Sequence, residues 1–351
     1  MIKYRQSRVR CIGVSVSAIG VSFGSRDIPH EELMTLARLA DQLGYTSLWV
    51  GESWGRDAFT TLSMIACHTS RIQLGTGIVP VYSRTPALIA QSIASLDTIS
   101  NGRTLLGLGT SGKRVIEGWH GQSFEAPLER TREYVTIIRM ALAGQRVDHK
   151  GQFFNLEKFR MACAPVQERI PIYLAALGPK NLALTGEVAD GWLPTWVDVG
   201  RLPQVKGEVE RHAIEAGRSP GDITIAPQVL TLAARSWEER AEARRLLSAH
   251  LAFYIGGMGR YYYDLFQRQG YVEESRAVKE AWERRERDRA ASLVTDEMLD
   301  NVTISGGPAE CREKLAGYRA AGADMPIITF PSGASGEAMT LTIEALAPGK
   351  S

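Results

Sequence analysis

Short apolar runs alternate with stretches of helical period along nearly the whole chain. The runs predict strands at Cys11 to Ser17, Ser47 to Ser53, Ile72 to Pro80, Arg103 to Gly109, Pro171 to Leu177, Asp190 to Pro194, Asp222 to Leu232 and Asp324 to Phe330. Helices are expected over Pro29 to Leu43, Asp57 to His68, Ala87 to Ile99, Pro127 to Leu142, Pro179 to Val188, Arg201 to Ala216, Glu238 to Tyr254, Pro308 to Ala321 and Gly336 to Leu346. In the first of these, Leu33, Leu36, Ala37, Ala40 and Leu43 recur at helical spacing and Gly44 closes the run. Two stretches depart from the alternation. Gln145 to Phe154 reads as a hairpin turning at Lys150 and Gly151, and Gly256 to Asn301 is irregular, with a Gly-rich turn, the tyrosines Tyr261, Tyr262 and Tyr263, and a mixed-charge run that suits an exposed helix face. Eight strands, each followed by helix, predict an α/β fold: a (β/α)8 TIM barrel with insertions, one domain over 1–351.

Length alone would allow two domains, but α/β barrels of this size fold as one. Lys plus Arg (41) nearly balances Asp plus Glu (39), so no global field points to nucleic acid, and any anion site has to be local. Cys11, Cys67, Cys163 and Cys311 contain no CxxC pair, which fits reduced thiols in a cytoplasm. The basic start (Lys3, Arg5, Arg8, Arg10) reads as a lead-in to a strand, and no stretch approaches the ~18 apolar residues of a membrane span. A cytoplasmic protein with no membrane or nucleic-acid partner is expected. The six histidines show no metal-ligand spacing, and no GxSxG or Cys/His pairing marks a nucleophile.

In a parallel barrel the loops leaving the C-terminal strand ends build the active site. Those loops are Ser15 to Ser25, Glu52 to Asp57, Gly77 to Arg84, Gly109 to Gly121, Ala175 to Pro179, Thr195 to Asp198 and the Gly256 region. On the third strand, Gly75 and Gly77 remove side chains where something presses on the backbone, either a packed neighbour or a flat ligand. Gly107 to Arg114 spells both GxGxxG and GxxxxGK. Yet it follows the fourth strand, no clean Rossmann helix comes next, and Arg114 replaces the Ser or Thr that would hold Mg²⁺. What remains is a close-approach loop in which Thr110 and Ser111 offer hydrogen bonds. Ala175 to Asn181 is either an anion site at a helix N-terminus or a tight Gly-Pro turn. Glu52, after an apolar run, can contact a ligand, act as acid or base, or pair with Arg56 or a basic loop. Trp54, Trp119, Trp192 and Trp196 fall near loop ends, where aromatic walls suit a flat ligand and where barrel rims also bury Trp. Arg84, Lys113 and Arg114 are candidates for a locally positive mouth.

Five segments in register, LWVGESWGRDAF (Leu48 to Phe59), LGTGIVPVYSRTP (Leu74 to Pro86), GLGTSGKRVIEGWHG (Gly107 to Gly121), PIYLAALGPKNLALTGEVADGWLP (Pro171 to Pro194) and YIGGMG (Tyr254 to Gly259), carry a resemblance. The chain resembles the bacterial luciferase-like superfamily, specifically its coenzyme F420-dependent oxidoreductases, over nearly its whole length. The GWHG and AALGPK segments favour the deazaflavin branch over the flavin one. The resemblance implies that a deazaflavin ring leans on a third-strand bulge with a non-prolyl cis peptide, mapping onto Gly77–Ile78. It further implies that Ala175, Ala176, Leu177, Gly178 and Pro179 receive the cofactor tail and phosphate, that Glu52 touches the deazaflavin, and that Thr110 and Ser111 lie beside the ring. Against the sugar-phosphate dehydrogenases of that family the chain has Ser53 in place of a histidine and Gly112 in place of a glutamate. Glu52, Ser53 and His120 are left as candidate proton donors or acceptors. The implied activity is hydride transfer between coenzyme F420 and a small organic substrate, with residues 256–301 as a lid and a homodimer as the assembly. The alternatives are an FMN-dependent luciferase-like monooxygenase and a non-catalytic deazaflavin-binding protein.

Overall fold

The computed structural model describes residues 18–24 and 28–349. The strand expected at residues 11–17 lies outside them. The first described strand, β1 (Gly20–Gly24), falls instead where a loop was expected. The runs CIGVSVS and AIGVSFG are near-copies in pattern, so periodicity could not choose between them.

β2 (Ser47–Val50), β3 (Gln73–Thr76), β4 (Val79–Pro80) and β5 (Thr104–Gly109) follow, then an antiparallel hairpin of β6 (Val147–Lys150) and β7 (Asn155–Phe159). The strands β8 (Ile172–Leu174), β9 (Gly191–Trp192), β10 (Thr224–Ile225), β11 (Gln228–Ala233), β12 (Thr303–Gly306) and β13 (Ile327–Thr329) complete the set. In the main sheet all pairings are parallel, in the order β10-β9-β8-β5-β3-β2-β1-β13-β11-β12, with β4 on β5. The sheet curls until Thr195, just past β9, bridges Gln228, whose N–H donates to the Pro194 carbonyl at 2.7 Å. The expected seventh strand is split into β10 and β11 at Pro227, which has no N–H to give a ladder.

Helices α1 (His30–Gln42), α2 (Ala58–Ala66), α3 (Pro86–Ser100), α4 (Lys113–Gly118), α5 (Pro127–Leu142), α6 (Pro179–Val188), α7 (Leu202–Glu215) and α8 (Trp237–Gly257) alternate with these strands. Their starts are locally encoded: Asp57 caps α2 by accepting the Thr60 N–H at 2.6 Å, and Thr85 caps α3 with Pro86 at its first position. Where residues 256–301 were expected to be irregular, the chain forms α9 (Arg260–Gln269), α10 (Val272–Glu283), α11 (Arg287–Ser292) and α12 (Asp296–Val302). These pack on α8 around a separate core that includes Leu247, Leu251, Phe266, Val278 and Met298. The unexpected β12 follows directly, then α13 (Pro308–Ala320) and α14 (Gly336–Ala345). The hairpin is also longer than expected: its turn occupies residues 151–154 and its second strand lies beyond it.

Two buried carboxylates fix the frame. Asp41 at the end of α1 accepts the N–H groups of Ser70, Arg71 and Ile72 at 2.7–3.0 Å, which anchors the entry to β3. Asp97 of α3 accepts from the Thr104 hydroxyl, the Gln167 amide and the Val166 and Gln167 N–H groups at 2.6–2.8 Å, tying α3, β5 and the entry to β8 together. Inside the curl of the sheet sits a small core of Trp49, Leu105, Tyr173, Leu193, Met325 and Ile327, with Ile78 packed against it.

Candidate active site

At the exit of β3 the chain gains a residue. Gly75 pairs with Leu105 and Val79 with Leu108, so four steps on one strand oppose three on the other, which defines a bulge. The Thr76 side chain fills the broken ladder: its hydroxyl donates to the Gly107 carbonyl at 2.8 Å and accepts the Gly107 N–H at 2.9 Å. The Gly77–Ile78 peptide is cis. From Leu74 to Tyr82, Gly77 and Ile78 alone are half-exposed; every other residue is buried. The bulge is gripped from the β2 side as well, because the Val50 carbonyl accepts the Gly77 N–H at 2.7 Å and the Glu52 N–H donates to the Ile78 carbonyl at 3.1 Å. The object pressing on Gly75 is the Trp49 indole, which a Cβ there would meet at 2.3 Å. Gly107 is glycine for a harder reason, since a Cβ would lie 2.0 Å from the Thr76 carbonyl oxygen.

Beside the bulge, the Glu52 carboxylate is held on all sides. Arg84 binds it through both guanidinium nitrogens, at 2.6 and 2.9 Å, the Ala58 N–H donates to it at 3.1 Å, and the Ser83 hydroxyl approaches at 3.4 Å. Arg84 also pairs with Asp57 and lies over the Phe59 ring. Burial works against the Arg84 charge, but the hydrogen bonds and charges of Glu52 and Asp57 outweigh it and hold its pKa above the ordinary value. The pair therefore locks the loop after β4 onto the N-terminus of α2, with Glu52 only 9% exposed. Ser53 is half-buried next to it.

Around the rim, Thr110 and Ser111 are half-buried at the end of β5, with Ser111 in the left-handed region (φ 56°). Lys113 pairs with Glu117 at 3.6 Å and Arg114 donates to the Gly257 carbonyl at 3.2 Å. Of the expected basic mouth, then, Arg84 is committed to carboxylates and Arg114 to α8. His120, after α4, has its Nε2 buried without a protein partner. In the loop after β8, Ala175 donates its N–H to the Leu108 carbonyl, Ala176 is buried, and Leu177 and Gly178 are half-exposed. α6 starts at Pro179 with no side-chain cap, and a Cβ on Gly178 would meet nothing within 4 Å. Trp54 and Trp119 are exposed, whereas Trp192 is buried with its N–H on the Ala176 carbonyl at 2.9 Å. Opposite lies α9, whose consecutive tyrosines diverge: Tyr261 meets Phe124, which stacks on Tyr82; Tyr262 meets Trp196 and Tyr254; Tyr263 receives the Lys279 ammonium.

The model of the luciferase-like monooxygenase family matches residues 13–325. This chain belongs to that family. Among its relatives is the Mycobacterium tuberculosis protein named "Putative coenzyme F420-dependent oxidoreductase Rv3520c", at 33% identity over 87% of this chain and 92% of its own. The 5,10-methylenetetrahydromethanopterin reductase of Methanolobus tindarius is 30% identical over 84% of this chain and 90% of its own. Among solved structures, the coenzyme F420-dependent tetrahydromethanopterin reductase of Methanopyrus kandleri superposes with a TM-score of 0.82 at 25% identity, covering 94% of this chain and 98% of that one. The curled parallel sheet is the luciferase-like TIM-barrel-type fold.

Sequence reasoning did not single out Thr76, whose signal is only a polar residue in an apolar strand directly before Gly77. Nor did it pair Glu52 with Arg84, because 32 residues separate them and nothing local links the two loops. A groove of about 580 Å³ between α8, α12 and α13 was not foreseen either. Four of its charges pair with one another, Arg240 with Glu310 at 2.8 Å and Lys314 with Asp300 at 2.7 Å.

Proposed function

We propose that the protein is a coenzyme F420-dependent oxidoreductase that exchanges a hydride with a small organic substrate. The observation that carries this reading is the half-exposed Gly77–Ile78 bulge, framed by β2 and β5 at the strand ends, in a chain with relatives named for F420. The sheet is read here as a closed (β/α)8 barrel, with β10 and β11 as one interrupted strand and β12 as an addition; the contact between Pro194 and Gln228 supports closure.

The residues fit such a cofactor. The apolar Ile78 side chain rests on the inner core and offers a floor for a flat ring, Thr110 and Ser111 stand at its edge, and the open backbone at Gly178 before α6 suits a phosphate. Ala175, Ala176, Leu177 and Pro179 shape that second loop. When bound, coenzyme F420 supplies the carbon that exchanges the hydride. The protein's own contribution is position, exclusion of water and one proton. His120 is the candidate for moving that proton, with its Nε2 buried and unpartnered, and Ser53 is the second. Glu52, fixed by Arg84, holds the bulge and the edge of the ring.

Deuterium placed on the reacting carbon of an alcohol that the enzyme oxidises is expected to appear on the deazaflavin without exchange with water. Loss of the label to water contradicts direct hydride transfer. Turnover only with reduced FMN and oxygen would move the chain to the monooxygenase reading, and cofactor binding without turnover of any alcohol or ketone to the non-catalytic one.

A further inference from the structure

Trp196 stands apart from the other deeply buried tryptophans. The Trp49 indole N–H donates to the Ser47 hydroxyl at 2.8 Å, and the Trp192 N–H to the Ala176 carbonyl at 2.9 Å. Trp196 is 4% exposed, yet its Nε1 is buried with no protein acceptor. A buried donor left unpaired is costly, so a fold that satisfies two indoles and leaves the third open does so where something else supplies the acceptor. The backbone of Trp196 is also unusual. Its φ of 53° puts a bulky side chain in the left-handed region, a conformation that persists only when its surroundings enforce it.

Those surroundings come from the helical insertion. Gln269 of α9, itself 8% exposed, donates from Nε2 to the Trp196 carbonyl at 3.2 Å and accepts the Asp198 N–H on Oε1 at 2.7 Å. Tyr271 donates its hydroxyl to the Asp198 carboxylate at 2.6 Å and accepts from the Asn301 amide at 2.9 Å. Three half-exposed rings cover the indole: Tyr254 edge-on at 4.3 Å, Tyr262 tilted at 4.7 Å and His250 edge-on at 5.8 Å. Tyr262 rides on α9, which starts after Gly259 at φ 88°. The cluster borders the loop after β8, since Leu177 packs against it and Arg268 of α9 donates to the Leu177 carbonyl at 3.1 Å.

We propose that Trp196 is the substrate-orienting residue, a hydrogen-bond donor covered by Tyr254 and Tyr262 until a planar ring compound bearing a carbonyl or hydroxyl oxygen takes the place of their rings. Gln269 is the positioning residue that holds the indole in its left-handed seat. The inference rests on the oxidoreductase reading for its choice of oxygen function, because a carbonyl or alcohol carbon is what a hydride exchange needs. The face-to-edge stacking that now occupies the tyrosines is what the ring of the ligand replaces, and its oxygen accepts the indole N–H.

The test titrates acetophenone and α-methylstyrene, which share a shape and differ in the carbonyl oxygen, into the protein with and without coenzyme F420. Wild type is expected to prefer the ketone by about tenfold, the worth of one hydrogen bond. In Trp196→Phe that preference is expected to fall to about one while F420 affinity stays unchanged. A purely structural Trp196 would weaken both ligands alike. Gln269→Leu, which keeps every ring, is expected to lose the preference too, and serves if Trp196→Phe fails to fold. Equal binding of the two ligands by wild type, no binding of either, or an undiminished ketone preference in Trp196→Phe overturns the proposal. Absence of F420 binding in wild type, with the ketone preference intact, overturns the cofactor reading alone.

Discussion

Glu52 and Arg84 show how an acidic residue at a strand end acquires its role from its partner. With both carboxylate oxygens taken, Glu52 links two loops and, through its N–H, steadies the Ile78 carbonyl. Arg84→Met leaves that carboxylate buried and unpaired, so we expect a loss of about 3 kcal/mol in urea unfolding. The double change with Glu52→Gln should recover most of it, and additive losses would contradict the clamp. Gly107→Ala drives a methyl into the Thr76 carbonyl, which cannot turn away. A cost of about 3 kcal/mol in the same measurement is expected, against near-neutrality if the bulge can relax. Asp41 gives a pH signature. Burial alone would raise its pKa, but the N–H groups of Ser70, Ile72 and Arg71 and the Ser70 hydroxyl more than reverse that, so the folded pKa lies below the ordinary value. Its contribution is therefore complete above a pH of about 4 and is lost as pH falls through the folded pKa. Asp41→Asn should remove that part of the acid-side decline in stability; an unchanged decline would contradict it.

Among the elements, those with an unbroken period and a local stop were legible. α3 is bracketed by Thr85 and Pro86 before it and by Asn101 in the left-handed region after it, and both ends could be read. The helices of residues 256–301 were hidden because α9 to α12 are short, meet at Gly270, Arg285 and Thr295, and bury their stripes against α8 and one another. β12 escaped notice because Thr303–Gly306 is brief and runs into glycines that resemble a turn. The divergent contacts of Tyr261 and Tyr262 make α9 a strap between the Phe124 side and the Trp196 side of the mouth. Replacing Tyr261, which lies outside the Trp196 seat, by alanine should raise substrate KM several-fold while F420 affinity stays within about twofold; the reverse split would sink the assignment of α9 as a lid.

For the molecule as a whole, alternation of strand and helix was enough to predict a parallel α/β sheet, and position at the strand ends is what nominates the loops of the candidate site. The site itself was legible only in part. Glycines at 75, 77 and 107 advertise close approach but not what approaches, which proved to be an indole at Gly75 and a carbonyl oxygen at Gly107. Long-range pairings, Glu52 with Arg84 and Gln269 with Trp196, leave no periodic trace, because partners brought together by the curl of the sheet share no local pattern. The measurement that bears most directly on the proposed function is competitive titration of the protein with coenzyme F420 and FMN, followed by ring fluorescence, in wild type and Gly77→Val. Tight binding of F420 over FMN, weakened at least about tenfold by the branched side chain at the bulge, is the predicted result. Preference for FMN, binding of neither, or F420 binding indifferent to residue 77 would contradict the account.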